Sequence, residues 1–303
     1  MTLINIAPRL YLISLDQNLP GFISFIGAWL YKGEKTFLVD PGPSATIPSL
    51  MKFLAEIEVQ HLDAILLTHI HIDHAGGIGD LSSCFPDTPI VCHKSGIKHL
   101  AEPSRLWEGS LKTLGKTAEA YGPISPVSSD QLFDAANFQD GIITPVLTPG
   151  HAAHHVSYIL EPYLFAGETG GVFIDIPGGR FYLRPATPPP FFLDTSIKSM
   201  DVLIDRKPEK ICYGHFGMQD NAVKMLKMHR EQLFLWKNII DDEIKNSRPE
   251  EFVDACIDRL LKNDPFLKGF FDMGKDVQER ERGFLKNSIK GYKGYLKTVA
   301  DNP

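Results

Sequence analysis

The sequence predicts a layered α/β protein that ends in a helical segment. Three short β-rich runs, Leu10 to Leu15, Ile23 to Tyr31 and Thr36 to Val39, open the chain and are separated by turn-forming residues. A segment with helical spacing of apolar residues begins near Ser44, and a short apolar run from Ala64 to Leu67 follows it. Strands first, and then strands alternating with helices, are typical of sheets covered by helices.

Composition narrows the classes of protein that this chain can be. With 303 residues, of which 43% are hydrophobic and 22% charged, the chain can bury a large core in one large or two modest domains. A net charge of −6 does not supply the positive surface that binds a phosphate backbone. No apolar run approaches the roughly 20 residues of a membrane span. We therefore expect neither nucleic acid nor a membrane as a partner.

The N-terminus and the cysteines indicate a cellular compartment. The first eight residues lack the basic region and the long apolar core of a secretion signal. The four cysteines show no CxxC spacing and lie mostly in apolar stretches, as reduced core thiols do; they are Cys84, Cys92, Cys212 and Cys256. We expect a cytoplasmic protein.

The densest chemical signal follows the apolar run from Ala64 to Leu67. Three histidines and one carboxylate lie within six residues there, namely His69, His71, Asp73 and His74. A strand buried on both faces would deliver them to the carboxyl end of a sheet strand, where open α/β folds hold their sites. Imidazole and carboxylate donors suit zinc, iron or manganese, and a single ion could not easily take all four. Histidines that only capped the strand would leave costly unpaired polar groups. We predict a metal site.

Three later strand ends carry further residues of the type that binds metals. Each of them follows a predicted strand directly or after a Gly-containing turn; they are His151, Glu168 and His215. Any one of them alone would be weak evidence for a metal site, because a histidine or acid at a strand end is usually a surface or capping residue. Together with the first cluster they supply enough donors for two ions.

Other polar residues near these motifs have two readings each. Asp40 ends the third β-rich run, and it could either orient a metal ligand without touching the metal or form a turn by bonding its own backbone. His154 and His155 follow His151, and one of them could lie in the pocket while both could equally be structural. The sequence leaves these alternatives open.

A wall of the substrate pocket is predicted from the segment between the last candidate ligands. Residues 185–192 are rich in proline and aromatic side chains, and Arg184 precedes them. Such a loop could hold an apolar chain through Phe191 and a carboxylate or phosphate through Arg184. It could also be a packed connector ahead of the helix that begins near Asp194.

The candidate ligands follow one another in an order that carries a family resemblance. The order is HxHxDH from His69 to His74, then Gly150-His151, Gly167-Glu168 and Gly214-His215, with Asp40 ahead of them. This order resembles the metallo-β-lactamase superfamily over about residues 8 to 217. Within it the chain looks most like the uncharacterised metallo-hydrolases of this fold and is more distantly similar to glyoxalase II. The resemblance implies a four-layer αββα sandwich over residues 1–218 and a C-terminal helical subdomain over residues 219–303.

The resemblance also implies a ligand set for two divalent ions, with zinc favoured over iron or manganese. His69, His71 and His151 would bind the first ion, Asp73, His74 and His215 the second, and Glu168 would bridge both. Most relatives carry Asp at the bridging position, whereas this chain has Glu168. A carboxylate one methylene longer can still bridge, but it changes the spacing between the ions or forces the backbone back.

The chemistry of such a site suggests hydrolysis of a small molecule. Metal binding lowers the pKa of water toward about 7, so that a nucleophile forms at neutral pH. We expect attack on an ester, thioester or lactone carbonyl, with Asp73 as a catalytic residue that binds metal and orients the water. The alternative is iron-dependent oxygen or sulfur chemistry, as in persulfide dioxygenases or diiron proteins that bind or sense oxygen. Against the diiron proteins, this chain has His71 where they resemble HxExDH, and it has no flavin domain.

The C-terminal third is predicted to be helical. From Asp220 onward apolar residues recur in steps of three and four. Three aromatic residues in this part, Phe266, Phe270 and Phe271, could cover the active site as the helical extension of glyoxalase II does. They could also form the interface of a homodimer or pack into the core of the αββα body.

Overall fold

The computed structural model describes residues 2–301, which form four layers in the order helix, sheet, sheet, helix. The predicted αββα sandwich with helices at its C-terminal end is confirmed. The strands are β1 (Thr2–Ala7), β2 (Leu10–Ser14), β3 (Gly27–Lys32), β4 (Thr36–Val39), β5 (Ala64–Leu66), β6 (Ile90–Cys92), β7 (Leu132–Asp134), β8 (Thr144–Leu147), β9 (Val156–Leu160), β10 (Tyr163–Gly167), β11 (Val172–Ile176), β12 (Arg180–Arg184), β13 (Lys210–Tyr213) and β14 (Met218–Asp220).

Helices cover both outer faces of the sandwich. They are α1 (Ile47–Glu56), α2 (Ile72–Ala75), α3 (Ile78–Cys84), α4 (Lys94–Ala101), α5 (Ser104–Leu114), α6 (Lys116–Tyr121), α7 (Leu193–Asp205), α8 (Ala222–Asn246), α9 (Phe252–Asn263) and α10 (Lys275–Asp301). Among the helices of residues 2–301, none is both long enough and apolar enough to cross a membrane.

Strand order explains how the site is assembled. In the first sheet, strands β1 to β7 lie side by side in chain order; β1 to β4 are antiparallel, whereas β4 to β7 are parallel. The second sheet has the order β14, β13, β10, β9, β8, and β10 runs parallel to β13. Strands β11 and β12 form a separate hairpin. Parallel neighbours place the residues that follow them at one edge of each sheet.

Side chains of alternating orientation fill the space between the sheets and the space beneath the helices. In β5, Ala64 and Leu66 belong to the core shared with the second sheet, whereas Ile65 belongs to the core shared with α1, α3 and α4. In β10, Phe165 points into the core between the sheets and Leu164 points toward α7 to α10. This alternation is the period of two that a strand requires. The strand before the histidine cluster is buried on both faces, as predicted.

The C-terminal helices share one continuous core with the second sheet. Trp236 of α8 and Tyr292 of α10 lie in the same buried cluster as Leu164 of β10. Phe270 belongs to this core, and Phe266 stacks on Phe181 of the β11–β12 hairpin with ring centroids 6.3 Å apart. Phe271 is exposed. Of the three readings for these aromatics, packing against the αββα body describes Phe266 and Phe270.

The Tyr158 hydroxyl joins the second sheet to the strand that carries the histidine cluster. The Tyr158 hydroxyl lies in β9, 2.9 Å from the Leu67 carbonyl oxygen and 3.0 Å from the Val91 carbonyl oxygen. All three residues are buried. The hydroxyl therefore contacts one carbonyl just after β5 and one within β6, and the Val91 carbonyl also accepts the Leu67 backbone N–H at 2.9 Å.

Replacing this hydroxyl tests how strongly it holds the two sheets together. We expect Tyr158→Phe to lower the free energy of unfolding by about 1–3 kcal/mol, because the buried Leu67 carbonyl loses the donor that Tyr158 supplies. Urea denaturation measures the change. The control is Tyr213→Phe, since the buried Tyr213 hydroxyl has no hydrogen-bond partner among residues 2–301. Equal losses of unfolding free energy in both variants would contradict the role assigned to the Tyr158 hydroxyl.

Candidate metal centre

Four loops bring seven side chains together where the strands of both sheets end. The loop after β5 supplies the first four, and the residues after β8, β10 and β13 supply one each; they are His69, His71, Asp73, His74, His151, Glu168 and His215. Every side chain predicted to bind metal therefore lies in one cluster. Their roles as ligands stay a prediction.

Two glycines allow these loops to approach each other closely. A Cβ atom on Gly167 would lie 2.4 Å from Nε2 of His155, and the residue has a φ of +52°. A Cβ atom on Gly214 would lie 2.9 Å from Cε1 of His74. Because a side chain at either position would displace an imidazole, the Gly-Glu and Gly-His pairs of the sequence reflect packing as well as turn geometry.

The first donor group consists of three imidazoles. Nδ1 of His71 lies 3.0 Å from Nε2 of His69 and 3.0 Å from Nε2 of His151. The three nitrogens converge on a common space. Three histidine nitrogens at one point are a donor set that zinc and iron accept.

The second donor group combines two imidazoles with two carboxylates. Oε1 of Glu168 lies 2.9 Å from Nε2 of His74 and 3.1 Å from Nε2 of His215. Oδ2 of Asp73 lies 3.4 Å from Nε2 of His215 and 3.7 Å from Nε2 of His74. The group holds mixed nitrogen and oxygen donors within the span of one ion.

Glu168 stands between the two groups. Its Oε1 atom, which belongs to the second group, is also 3.9 Å from Nε2 of His151 in the first. Its Oε2 atom turns inward to 3.5 Å from Nδ1 of His69 and has no hydrogen-bond partner among residues 2–301. The longer side chain thus presents one oxygen to both groups, and its second oxygen is buried behind them.

Backbone carbonyls set the orientation of two imidazoles, one in each group. Nδ1 of His151 donates to the Ala186 carbonyl at 2.9 Å, and Nδ1 of His215 donates to the Phe25 carbonyl at 3.0 Å. A carbonyl only accepts, so Nδ1 carries a hydrogen in both rings and Nε2 points into the cluster. The sequence contained no signal for either carbonyl.

Asp40 orients a third imidazole. Its Oδ2 atom lies 3.0 Å from Nδ1 of His74, and it accepts a hydrogen bond of 2.6 Å from the Thr68 hydroxyl. The Thr68 backbone N–H donates to Oδ1 at 2.8 Å. Asp40 is buried with a φ of +52°, and it contacts His74 as the prediction of an orienting role requires.

The two groups differ in the charge that their imidazoles carry. Burial lowers the pKa of His71 to about 3 and holds the pKa of His69 well below its usual range, so both rings are neutral at pH 7. Burial acts in the same direction on His74, but Glu168, Asp73 and Asp40 outweigh it and raise its pKa well above the usual range. The second group therefore holds a proton that a metal ion would have to displace.

The carboxylates of the second group are ionised. Burial alone would raise the pKa of Glu168, but the His69, His74 and His151 imidazoles hold it well below the usual range. Burial also opposes ionisation of Asp73, and His74 with His215 outweighs it, so that the pKa of Asp73 is lowered. Anionic oxygens among imidazoles are the donor chemistry that divalent ions require.

The predicted substrate residues lie elsewhere. Arg184 is 2% exposed, and its Nε atom is 2.5 Å from Oε2 of Glu281 in α10. Phe191 is buried with its ring 4.7 Å from that of Tyr292. Neither side chain is free to meet a substrate, and the prediction that Arg184 anchors an anion and Phe191 an apolar chain is wrong. The alternative reading of residues 185–192 as a packed connector describes the buried Phe191, and Arg184 ends β12.

His155 belongs to the surroundings of the cluster. Its Nδ1 atom is 2.9 Å from the Thr148 hydroxyl, and its Nε2 atom accepts a 3.2 Å hydrogen bond from the Glu168 backbone N–H. Nδ1 of His154 accepts a 3.4 Å hydrogen bond from the Ile70 backbone N–H. The run of histidines after the Pro-Gly turn was the only sequence signal for these contacts.

Comparison with known proteins identifies the family. The profile of the metallo-beta-lactamase superfamily matches residues 20–215. A metallo-beta-lactamase fold-containing protein of Sulfurisphaera tokodaii is 29% identical over 215 residues, which cover 66% of this chain and 76% of that protein. A hydroxyacylglutathione hydrolase of Yersinia enterocolitica is 32% identical over 145 residues, which cover 46% of this chain and 45% of that enzyme.

Solved structures share the fold. An archaeal metallo-beta-lactamase superfamily protein from Sulfolobus tokodaii superposes with a TM-score of 0.68 at 24% identity, over 93% of this chain and 98% of that one. A metallo-beta-lactamase family protein from Thermus thermophilus superposes with a TM-score of 0.64 at 22% identity, over 98% and 95% of the two chains. With the family profile covering more than half of its residues, the chain belongs to the metallo-beta-lactamase superfamily.

Proposed function

We propose that the protein is a divalent-metal hydrolase that cleaves an ester, thioester or lactone of small size. The observation that carries the proposal is the position of Glu168, whose Oε1 atom faces His151 of the first donor group and His74 and His215 of the second. A single carboxylate oxygen between two convergent donor groups suits a pair of ions. Zinc is the metal that we expect.

The donors of this chain fit such ions on chemical grounds. The first group offers three imidazole nitrogens, and the second offers two imidazoles with two ionised carboxylates. When bound, the ions supply a Lewis acid for a carbonyl oxygen and lower the pKa of water. The Nδ1–H bonds of His74, His151 and His215 aim the Nε2 atoms inward before any ion arrives.

Asp73 is the residue that we expect to act on the attacking water. Its side chain is 21% exposed, whereas that of Glu168 is 2% exposed. Because His74 and His215 keep Asp73 ionised despite burial, its carboxylate accepts hydrogen bonds and does not donate them. A partly exposed anionic acceptor beside the donor groups can orient water for attack on a carbonyl carbon.

The similarity to hydroxyacylglutathione hydrolases suggests where the search for a substrate begins. The chain spans about half the length of the relatives of that name, and their activity is therefore a proposal for this chain. Acyl thioesters, lactones and p-nitrophenyl esters form the first panel. Hydrolysis should be lost on treatment with a chelator and restored by zinc.

Metal content and turnover together test the proposal. We expect two equivalents of zinc in protein purified without added metal, and hydrolysis of at least one class in the panel. One equivalent of iron without hydrolysis would contradict the proposal and would favour dioxygenation. Two equivalents of iron with an optical absorption band would favour binding or sensing of oxygen.

Removing one imidazole tests the first donor group. We expect His71→Ala to lose the ion of the first group and to lower activity by more than about 100-fold, because two imidazoles remain where three converge. Elemental analysis and turnover measure the change, and circular dichroism checks that the helices remain folded. His61→Ala removes an exposed imidazole and serves as the control. Full metal stoichiometry in His71→Ala would rule out the assignment.

The protonation of the second group predicts a pH dependence. His74 and His215 both have a pKa raised above the usual value, so a metal ion must displace protons that bind more tightly as the pH falls. In His71→Ala, where only the second group is complete, zinc affinity should fall from pH 8 to pH 6 by about tenfold per pH unit through the proton on His74, and further where His215 is also protonated. Titration calorimetry in two buffers counts the protons released. An affinity that does not change with pH would contradict the charge assignment.

A further inference from the structure

Helix α10 passes behind both loops whose carbonyls orient the imidazoles of the candidate metal centre. One of these loops precedes β3 and carries Phe25, and the other follows β12 and carries Ala186. The α10 residues that contact them recur at steps of three and four, which places them on one face of the helix; they are Arg280, Phe284, Ser288 and Gly291.

Arg280 contacts the loop that serves His215. Its Nη1 atom donates to the Gly21 carbonyl, and its guanidinium lies 3.9 Å from the centroid of the Phe25 ring. The same Phe25 ring stacks on the His215 imidazole, with centroids 4.3 Å apart and an interplanar angle of 22°. The Phe25 carbonyl accepts the Nδ1–H of His215. Arg280 therefore contacts the ring that stacks on this imidazole and, through the Gly21 carbonyl, the loop that carries the Phe25 carbonyl.

A buried network of ion pairs holds the Arg280 side chain in place. Glu281 is fully buried and lies 2.9 Å from Nη2 of Arg280 and 2.5 Å from Nε of Arg184. The Arg184 guanidinium lies 4.6 Å above the Phe284 ring, and Phe284 stacks on Phe25 at 5.4 Å. Buried charges need this complementarity, since one partner left alone is strongly destabilising. The ion pair of Glu281 with Arg184 thus ties α10 to β12, while Arg280 and Phe284 pack α10 against Phe25.

Ser288 contacts the loop that serves His151. Its hydroxyl donates to the Pro185 carbonyl at 3.2 Å and lies 3.3 Å from the Thr187 backbone nitrogen. The residue between them is Ala186, whose carbonyl accepts the Nδ1–H of His151. A Cβ atom on Gly291 would lie 2.0 Å from the Thr187 carbonyl oxygen, so the helix and the loop are in direct backbone contact.

We propose that α10 is a positioning element for both donor groups, in which Arg280 braces the Phe25 carbonyl against His215 and Ser288 braces the Ala186 carbonyl against His151. The proposal rests on the proposed function in that His215 and His151 are taken as metal ligands. It assigns to the C-terminal helix a task that differs from covering a substrate. Arg280 and Ser288 act through other residues and are positioning residues.

The expected loss of zinc affinity follows from the hydrogen bonds that the two carbonyls accept from the imidazoles. Each Nδ1–H···O=C bond selects the tautomer and holds the ring, and a carbonyl that moves allows the ring to turn. Loss of such supporting contacts typically lowers metal affinity by about 10- to 100-fold. Because the two carbonyls lie on separate loops, each loss should be confined to one donor group.

The experiment measures zinc affinity at one donor group at a time in the full chain. His71→Ala leaves only the second group complete, and His215→Ala leaves only the first complete. Into each background we would introduce Arg280→Met and Ser288→Ala. Arg280→Met should weaken zinc binding by about 10- to 100-fold in the His71→Ala background only. Ser288→Ala should weaken zinc binding to the same extent in the His215→Ala background only. For each substitution, the zinc affinity in the other background should change by less than about twofold.

Matched control variants distinguish the loss of a positioning contact from the mere removal of a side chain of the same type. Arg282→Met removes an exposed arginine two residues along α10, which lies over Phe270. Ser110→Ala removes a helical serine whose hydroxyl donates to the carbonyl of Leu106 in its own helix. Both controls should leave both affinities unchanged. If Arg280→Met does not fold, Phe25→Leu keeps the ion network and removes the stacking on His215, with the same expected loss at the second group.

Hydrogen exchange of the metal-free protein provides the readout that does not depend on metal. Residues 20–27 should exchange faster in Arg280→Met, and residues 184–188 should exchange faster in Ser288→Ala. Folded variants that weaken both groups equally, or neither, would overturn the proposal. If the unmodified protein binds no zinc, the proposed function fails. Hydrogen exchange then decides the positioning role by itself: unchanged exchange at both loops would overturn it, and faster exchange confined to the expected loop would support it.

Discussion

The burial of one carboxylate among histidines is the constraint on which the rest of this structure depends. Glu168 is 4% exposed, and an ionised carboxylate at that depth is stable only with compensating donors or ions around it. His74 and His215 contact one oxygen, and His69 lies nearest the other. These three residues come from loops of both sheets. The sandwich must therefore close with the strand ends together, and Gly167 and Gly214 permit it.

The polar network extends from the cluster into the backbone of the surrounding layers. Asp40 ties His74 to the end of β4, and the Phe25 and Ala186 carbonyls tie His215 and His151 to two loops. Those loops in turn rest on α10. A centre built in this way is supported from the helical layer as well as from the sheets, which is how rigid scaffolds keep donor atoms aligned.

Much of the fold and most of the cluster could be predicted because their signals are local. The apolar run from Ala64 to Leu67 shows a doubly buried strand, and the Gly-Glu and Gly-His pairs mark strand ends with tight turns. The order Ser247-Arg248-Pro249-Glu250 is that of a capping box, yet α9 begins at Phe252, and the Ser247 hydroxyl bonds Glu243 of the preceding helix. A capping side chain has several nearby partners, and packing decides among them.

By itself the sequence determined which donor atoms exist, in what order they follow the strands, and hence the family and the type of site. Only the tertiary structure decided which side chains are free to meet a ligand. Arg184 looked available beside an aromatic loop, yet Glu281, distant by 97 residues, neutralises it in the core. The carbonyls of Phe25 and Ala186 carry no side-chain signal at all. A charge is free or paired according to partners far along the chain, and only folding brings those partners into contact.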